Sequence, residues 1–322
     1  RKAILLTHIY GVDIDPQAVE VTRLSLLLKV LEGEDEQTLG QQLTMSLGRA
    51  ERVLPDLGQN IRCGNSLIGS DFYRGQQLGL GLLDEEEVYR INAFDWEAPE
   101  GFGKAMAAGG FDAVIGNPPY IRIQAMKEYA PQEVEFYKKQ YVAASKGNYD
   151  IYVVFVEKGL SLLRAGGRLG YILPHKFFNA QYGEPLRGLI ARGKHLADVV
   201  HFGDQQVFAN ATTYTCLLFL DKDGCDTFHI TKVEDLAAWR VAHTTPPVKP
   251  ASSPKLHYLR EASEDDDYTI HPGMATEGDV PTEKLNAAEW NFIVGPGTGL
   301  FRRLQQMPVT LEIGRASCRE RV

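Results

Sequence analysis

Short apolar runs alternate with helix-length amphipathic stretches through the first 224 residues, and that alternation leaves few architectures open. "HIYGVDID" (His8 to Asp15) reads as a parallel strand ending in acids. Asp15 and Pro16 read as the N-cap and first residue of the helix "QAVEVTRLSLLLKVLEG", with Gly33 as its stop. "NIRCGNSLIG" (Asn60 to Gly69) gives a second strand and turn, followed by a Gly-rich, acidic insertion over about 70–110. "FDAVIGN" is the next strand, with the composition of a buried one. "DIYVVFVEKGLSLLRAGG" predicts a helix capped by Asp150 and ended by Gly166-Gly167. "RLGYILP" and "ADVVHFG" are strands separated by the helical "GEPLRGLIARGKHL". "ATTYTCLLFLDKDG" is a long strand placed to pair antiparallel with the one before it. The pattern predicts an α/β sheet with helices on both faces.

The 322 residues suit one large or two medium domains, and no apolar stretch is long enough to span a bilayer. We expect no membrane association. Cys63, Cys216, Cys225 and Cys318 lack metal-ligand spacing, which fits a reducing, cytoplasmic setting and indicates no metal site. The net charge of −8 is uneven: residues 121–200 hold 12 Lys/Arg against 7 Asp/Glu. A phosphate backbone responds to such a local basic face, although a solvated lysine-bearing face accounts for the same residues.

The strand "FDAVIG" stops at Asn117-Pro118-Pro119-Tyr120. Ligands of open α/β sheets sit outside the carboxyl ends of the strands, and this tetrapeptide lies at such an end. Each proline holds the residue before it extended, so the Asn117 side-chain oxygen and the Pro118 carbonyl form a fixed pair of acceptors. Two adjacent acceptors match the two hydrogens of an exocyclic NH2 group. Tyr120 adds a flat face for the ring that carries it. A strand-terminating turn with an incidental aromatic is the structural alternative. Asp13, ending a strand, stands where Rossmann-like folds bind ribose hydroxyls; Asp15 is better explained as a helix cap.

Taken together, "GVDIDPQAV", "CGNSLIG", "FDAVIGNPPYIR", "NYDIYVVFVEKGLSLLRAGGRLGYILPHKFF" and "VVHFGDQQVFANATTYTCLLFL" resemble adenine-N6 DNA methyltransferases. Among these they are most similar to the methylase part of type IIG restriction–modification enzymes. The resemblance runs from His8 to Leu220. It implies a Rossmann-like class I methyltransferase sheet, S-adenosylmethionine as cofactor and double-stranded DNA as partner. Asn117 and Pro118 would hold the target amino group, with Pro119 fixing the turn. Tyr120 would stack on an adenine extruded from the duplex, and Phe208 would pack on its other face. Asp13, Ile14 and Asn65 would bind the cofactor, Asn65 being equally explicable as a turn former in "CGNS". Lys176, Arg187 and Arg192 could meet phosphates, with solvated surface as the default for each.

The resemblance also implies a glycine-rich loop and a first strand upstream of Arg1, in the middle of the sheet between the strands ending at Asp13 and Asn117. On that reading this chain alone is expected to fold poorly and to bind S-adenosylmethionine weakly. Residues 1–224 are expected to form the catalytic domain, 225–311 a linker and the start of a target-recognition region, and 312–322 a non-native tail. Three alternatives remain: a protein-glutamine or RNA amino-methyltransferase using the same tetrapeptide, a non-catalytic DNA-binding component with a methylase-like core, against which the intact tetrapeptide argues, and a nicotinamide-dependent oxidoreductase, which rests on fold analogy alone and is demoted by the tetrapeptide.

Overall fold

A computed structural model of the chain describes residues 2–32, 55–74, 85–208, 214–244, 270–271, 274–292 and 294. The described strands form two sheets. The smaller joins β1 (Gly11–Asp13) in parallel to β2 (Ile61–Cys63), with Asp13 opposite Cys63. The helix α1 (Lys2–His8) precedes β1, so the first strand is shorter than "HIYGVDID" suggested. The helix α2 (Pro16–Leu31) follows, and the Asp15 carboxylate accepts the Gln17 N–H at 2.8 Å, capping it as expected. Arg23 anchors α2 to the sheet by donating Nε and Nη2 to the Ile61 carbonyl at 3.1 and 2.6 Å. Gly33 lies outside the described residues.

The larger sheet has the strand order β3-β4-β6-β5-β7-β9-β8. Its strands are β3 (Phe111–Gly116), β4 (Leu163–Pro174), β5 (Leu196–His201), β6 (Thr215–Asp221), β7 (Thr227–Val233), β8 (Ile270–His271) and β9 (Ala275–Pro281). β3 and β4 are parallel, and β6 runs antiparallel to both β4 and β5, the second being the pairing the sequence suggested. This is the mixed α/β architecture expected of a Rossmann-like sheet. Leu169, Leu173, Val199, Leu218 and Leu220 fill its core against Val153 and Val156 of the helix between β3 and β4.

Three local expectations are corrected. The helix after Asp150 keeps neither predicted bound: it runs Tyr152–Ser161, is flanked by Ile151 rather than capped by Asp150, and stops before the glycines. Residues 163–167 join β4 instead. Its register against β3 jumps from Phe111 opposite Leu163 to Ala113 opposite Arg168. Gly166, at φ +72°, makes that irregularity possible, because a β-carbon there would strain the backbone. Asp150 instead accepts a hydrogen bond from the Tyr182 hydroxyl at 3.1 Å. The third correction concerns β3, whose composition suggested burial. Ile115 is 86% exposed, because among the described residues β3 pairs only with β4. The two sheets part between β1 and β3, where the resemblance sets a further strand.

The insertion over 70–110 bridges that gap at one end. Phe94, Trp96 and Phe102 meet Tyr10 beside β1 and Phe111 of β3 in a ring cluster with centroid separations of 5.0–6.1 Å. Edge-on contacts of this kind are worth about 0.5–1.5 kcal/mol each beyond area burial. Beyond Gly224 the same sheet continues, with β7 parallel to β5 and β9 antiparallel to β7. Residues 312–322 lie outside the described residues.

Candidate functional site

The chain leaves β3 at Gly116 and passes through Asn117 and Pro119, both exposed, and Pro118, which is buried. The segment is then pinned antiparallel to Tyr149–Ile151. Ile151 N donates to the Ile121 carbonyl and Ile123 N to the Tyr149 carbonyl, each at 2.9 Å, with Arg122 opposite Asp150. Tyr120 is half-buried, packs edge-on against Tyr152, and donates its hydroxyl to Asn117 Oδ1 at 2.9 Å. The Ile172 carbonyl of β4 lies 3.3 Å from the same hydroxyl. Burial pushes the Tyr120 phenol up to about 12, so at neutral pH it stays protonated and stays a donor. A carbonyl oxygen has two lone pairs. Tyr120 therefore fixes the Asn117 amide while leaving it one acceptor position.

Tyr120 opens onto a cleft of about 580 Å³, a volume suited to a small planar ligand. Arg122 and Asp150 line it beside Tyr120, and Pro174, His175 and Lys176 line it from the end of β4. Tyr214 completes the lining, 52% exposed and nearly parallel to the His175 ring (18°, centroids 6.3 Å apart). His175 stacks at 4.2 Å on His201. Burial lowers both imidazoles, His201 to about 4, so the pair is neutral at pH 7. Aromatic and neutral rings thus face a cleft whose rim carries two cations.

The proposed cofactor residues gather at the carboxyl end of the smaller sheet. Asp13 Oδ1 accepts the Asp15 N–H at 2.8 Å, and Gly64 N donates to the Asp13 carbonyl at 2.8 Å. Asp13 Oδ2 has no partner among the described residues, and Ile14 is 53% exposed beside it. An open carboxylate oxygen next to an exposed apolar side chain fits a ribose and the base attached to it. Asn65 is buried, and its Oδ1 accepts the Leu67 N–H at 3.1 Å while its backbone bridges Ala93. The turn-forming role is thus present in the geometry.

Phe208 sits half-buried in a bend and is not part of the cleft lining, whereas Tyr214 is. Tyr214 reaches the cleft because β6 runs antiparallel beside β4, which sets its first residues against the end of β4, with Thr215 opposite Pro174; the sequence suggested only the pairing of β6 with β5. Of the three candidate phosphate contacts, Lys176 lines the cleft and Arg192 is exposed. Arg187 is neither solvated nor available. It is 2% exposed and donates to four carbonyls: Ala287 and Ala288 at 3.0 and 2.8 Å, and Phe177 and Ala180 at 2.6 and 2.8 Å.

A family model described as the Eco57I restriction-modification methylase matches residues 7–208. The chain is 37% identical over 239 residues to the type II restriction enzyme and methyltransferase RM.Eco57I of Escherichia coli, covering 74% of this chain and 21% of that protein. It is 31% identical over 193 residues to the type II methyltransferase M.PaeR7I of Pseudomonas aeruginosa, covering 57% and 33%. Against the type II methyltransferase M.XhoI of Xanthomonas vasicola the identity is 29% over 230 residues, covering 62% and 41%. The chain thus spans between about a fifth and two fifths of the length of these relatives. With the family model matching well over half of its residues, this chain belongs to the Eco57I restriction-modification methylase family.

Proposed function

We propose that this chain carries the base-binding and part of the cofactor-binding machinery for methyl transfer from S-adenosylmethionine to N6 of an adenine extruded from double-stranded DNA, within a restriction–modification enzyme. The observation that carries the reading is the Asn117–Tyr120 arrangement at the end of β3. One Asn117 Oδ1 lone pair is taken by Tyr120, and the other is left for an incoming amino group; Tyr120, and not Asn117 itself, lines the neighbouring cleft of about 580 Å³.

When bound, S-adenosylmethionine supplies an electrophilic methyl group on a sulfonium. Asn117 Oδ1 and the Pro118 carbonyl each accept one N–H of the adenine amino group. This draws the nitrogen lone pair out of conjugation and offsets the positive charge that develops on N6. Transfer would join N6 to the methyl carbon as the donor's carbon–sulfur bond breaks, with one N6 proton released to solvent. Pro119 keeps the acceptor pair rigid, and Tyr120 stacks on the base. Phe208, which is not among the residues lining the cleft, is the proposed opposite wall. Asp13 takes the cofactor ribose, with Ile14 and Asn65 at its adenine. The enzyme contributes alignment of the two reactants and charge stabilisation, and the amino nitrogen itself is the nucleophile.

A protein-glutamine or RNA substrate would use the same acceptor pair. Incubating the protein that carries this chain with methyl-labelled donor and DNA, RNA or protein separates these readings. Label recovered as N6-methyladenine in DNA is expected; label found only in RNA or protein refutes the proposal.

A further inference from the structure

We infer that Arg122 and Lys176 grip the two phosphates flanking the extruded nucleotide, one from each wall of the cleft; this rests on the reading of the cleft as a base site. Both side chains are exposed and line the cleft, Arg122 just after the tetrapeptide and Lys176 just after β4. Neither forms an ion pair among the described residues. Other cations of the chain are paired: Lys146 with Glu184, and, toward the far end of the sheet, Arg164 with Asp112, Arg168 with Asp221 and Lys194 with Asp226. The carboxylate within the cleft, Asp150, is engaged by the Tyr182 hydroxyl. The lining thus holds two cations against one carboxylate, a net of +1, in a chain whose net charge is −8.

Both cations also stand on fixed supports. Arg122 is held by its backbone pairing with Asp150. Lys176 lies in the 3-10 turn His175–Phe178, whose Phe177 carbonyl is held by Arg187. A base turned out of the duplex stays joined to its strand, so a phosphate lies on each side of it. Two supported cations flanking an aromatic cleft match that pattern, with Arg122 able to bind its phosphate through two N–H groups.

The test measures the salt dependence of affinity for a duplex containing the target adenine, using the protein that carries this chain and its Arg122→Gln, Lys176→Gln and double variants. Circular dichroism controls for folding, and Arg122→Lys with Lys176→Arg tests rescue. Each phosphate contact contributes about 0.9 to the slope of log affinity against log salt. The double variant should therefore lose about 1.8 from the slope, so that raising salt from 50 to 200 mM costs the wild type about 12-fold more affinity than the double variant. The conservative pair should restore the slope. An unchanged slope in a folded double variant, with the wild type still methylating DNA, overturns the phosphate contacts and leaves the base site standing. A wild type that methylates only RNA or protein overturns the base site itself, and with it this inference.

Discussion

Replacing Arg187 by Met tests whether the cleft wall is built as described. The side chain is 2% exposed, and its four carbonyl partners tie Ala287 and Ala288 to the turn containing Phe177 and Ala180. Ala180 and Lys176 of that turn line the cleft. Methionine approximates the stem but donates nothing, leaving four carbonyls without their charged donor. A hydrogen bond to a charged group contributes about 1.5–3 kcal/mol, yet four bonds from one guanidinium are not independent. A buried carbonyl left without a donor costs about 1–3 kcal/mol, and with partial relaxation the four together cost about 3–5 kcal/mol. With a urea m-value near 2 kcal/mol/M, the unfolding midpoint should fall by about 2 M. Proteolysis should then cut near Ala287 and the 177–180 turn earlier than elsewhere. A midpoint change equivalent to less than about 0.5 kcal/mol, the size of an ordinary surface substitution, would refute the reasoning.

The remaining expectations concern the cleft and the sheet edges. His201 is lowered to about 4 from 6.5, so its neutral form contributes stability above pH 6.5 that is lost as pH falls toward 4; His201→Phe should reduce that loss in pH-dependent melts. Asp198, raised from 3.8 to about 6, acts in the opposite sense, losing stability as pH rises through 6, so the difference between variant and wild type is the readout. Gly183→Ala should destabilise by about 1–3 kcal/mol or more in urea melts, because the added carbon would lie 2.0 Å from the Phe177 carbonyl oxygen. Tyr120→Ala should weaken base binding by about 1–3 kcal/mol in a 2-aminopurine fluorescence titration, while Tyr120→Phe keeps the stacking face and loses only the hydroxyl's hold on Asn117. With Ile115 exposed on β3, and with β3 and β1 each paired on one side only among the described residues, this chain alone should melt broadly and bind S-adenosylmethionine weakly; a sharp two-state melt with micromolar affinity by calorimetry would contradict that.

Much of the sheet was legible because its strands carry local signals. Asp15 before Pro16 marked a helix start, and the apolar run after Tyr214 marked β6. The end of the helix Tyr152–Ser161 was not legible, since Leu162–Leu163 continue its apolar pattern while their pairing with β3 is a long-range contact. The burial of β3 was misread for a related reason: composition reports what a strand can bury, and only pairing decides whether it does. Arg187 looked like surface because burial of a guanidinium depends on four carbonyls that arrive from two distant segments. At the site, Asn117 and Tyr120 were visible through their position at a strand end. Tyr214 and Arg122 were visible only after the antiparallel register and the Tyr149–Ile151 pairing were known.

The central claim is that Asn117 holds the amino group that accepts the methyl. The direct measurement is transfer of labelled methyl to adenine N6 in duplex DNA by wild type and Asn117→Ala, with S-adenosylmethionine binding measured on the same preparations. The account predicts that transfer is lost while cofactor binding is largely retained. Methylation of adenine at the wild-type rate by Asn117→Ala would contradict it.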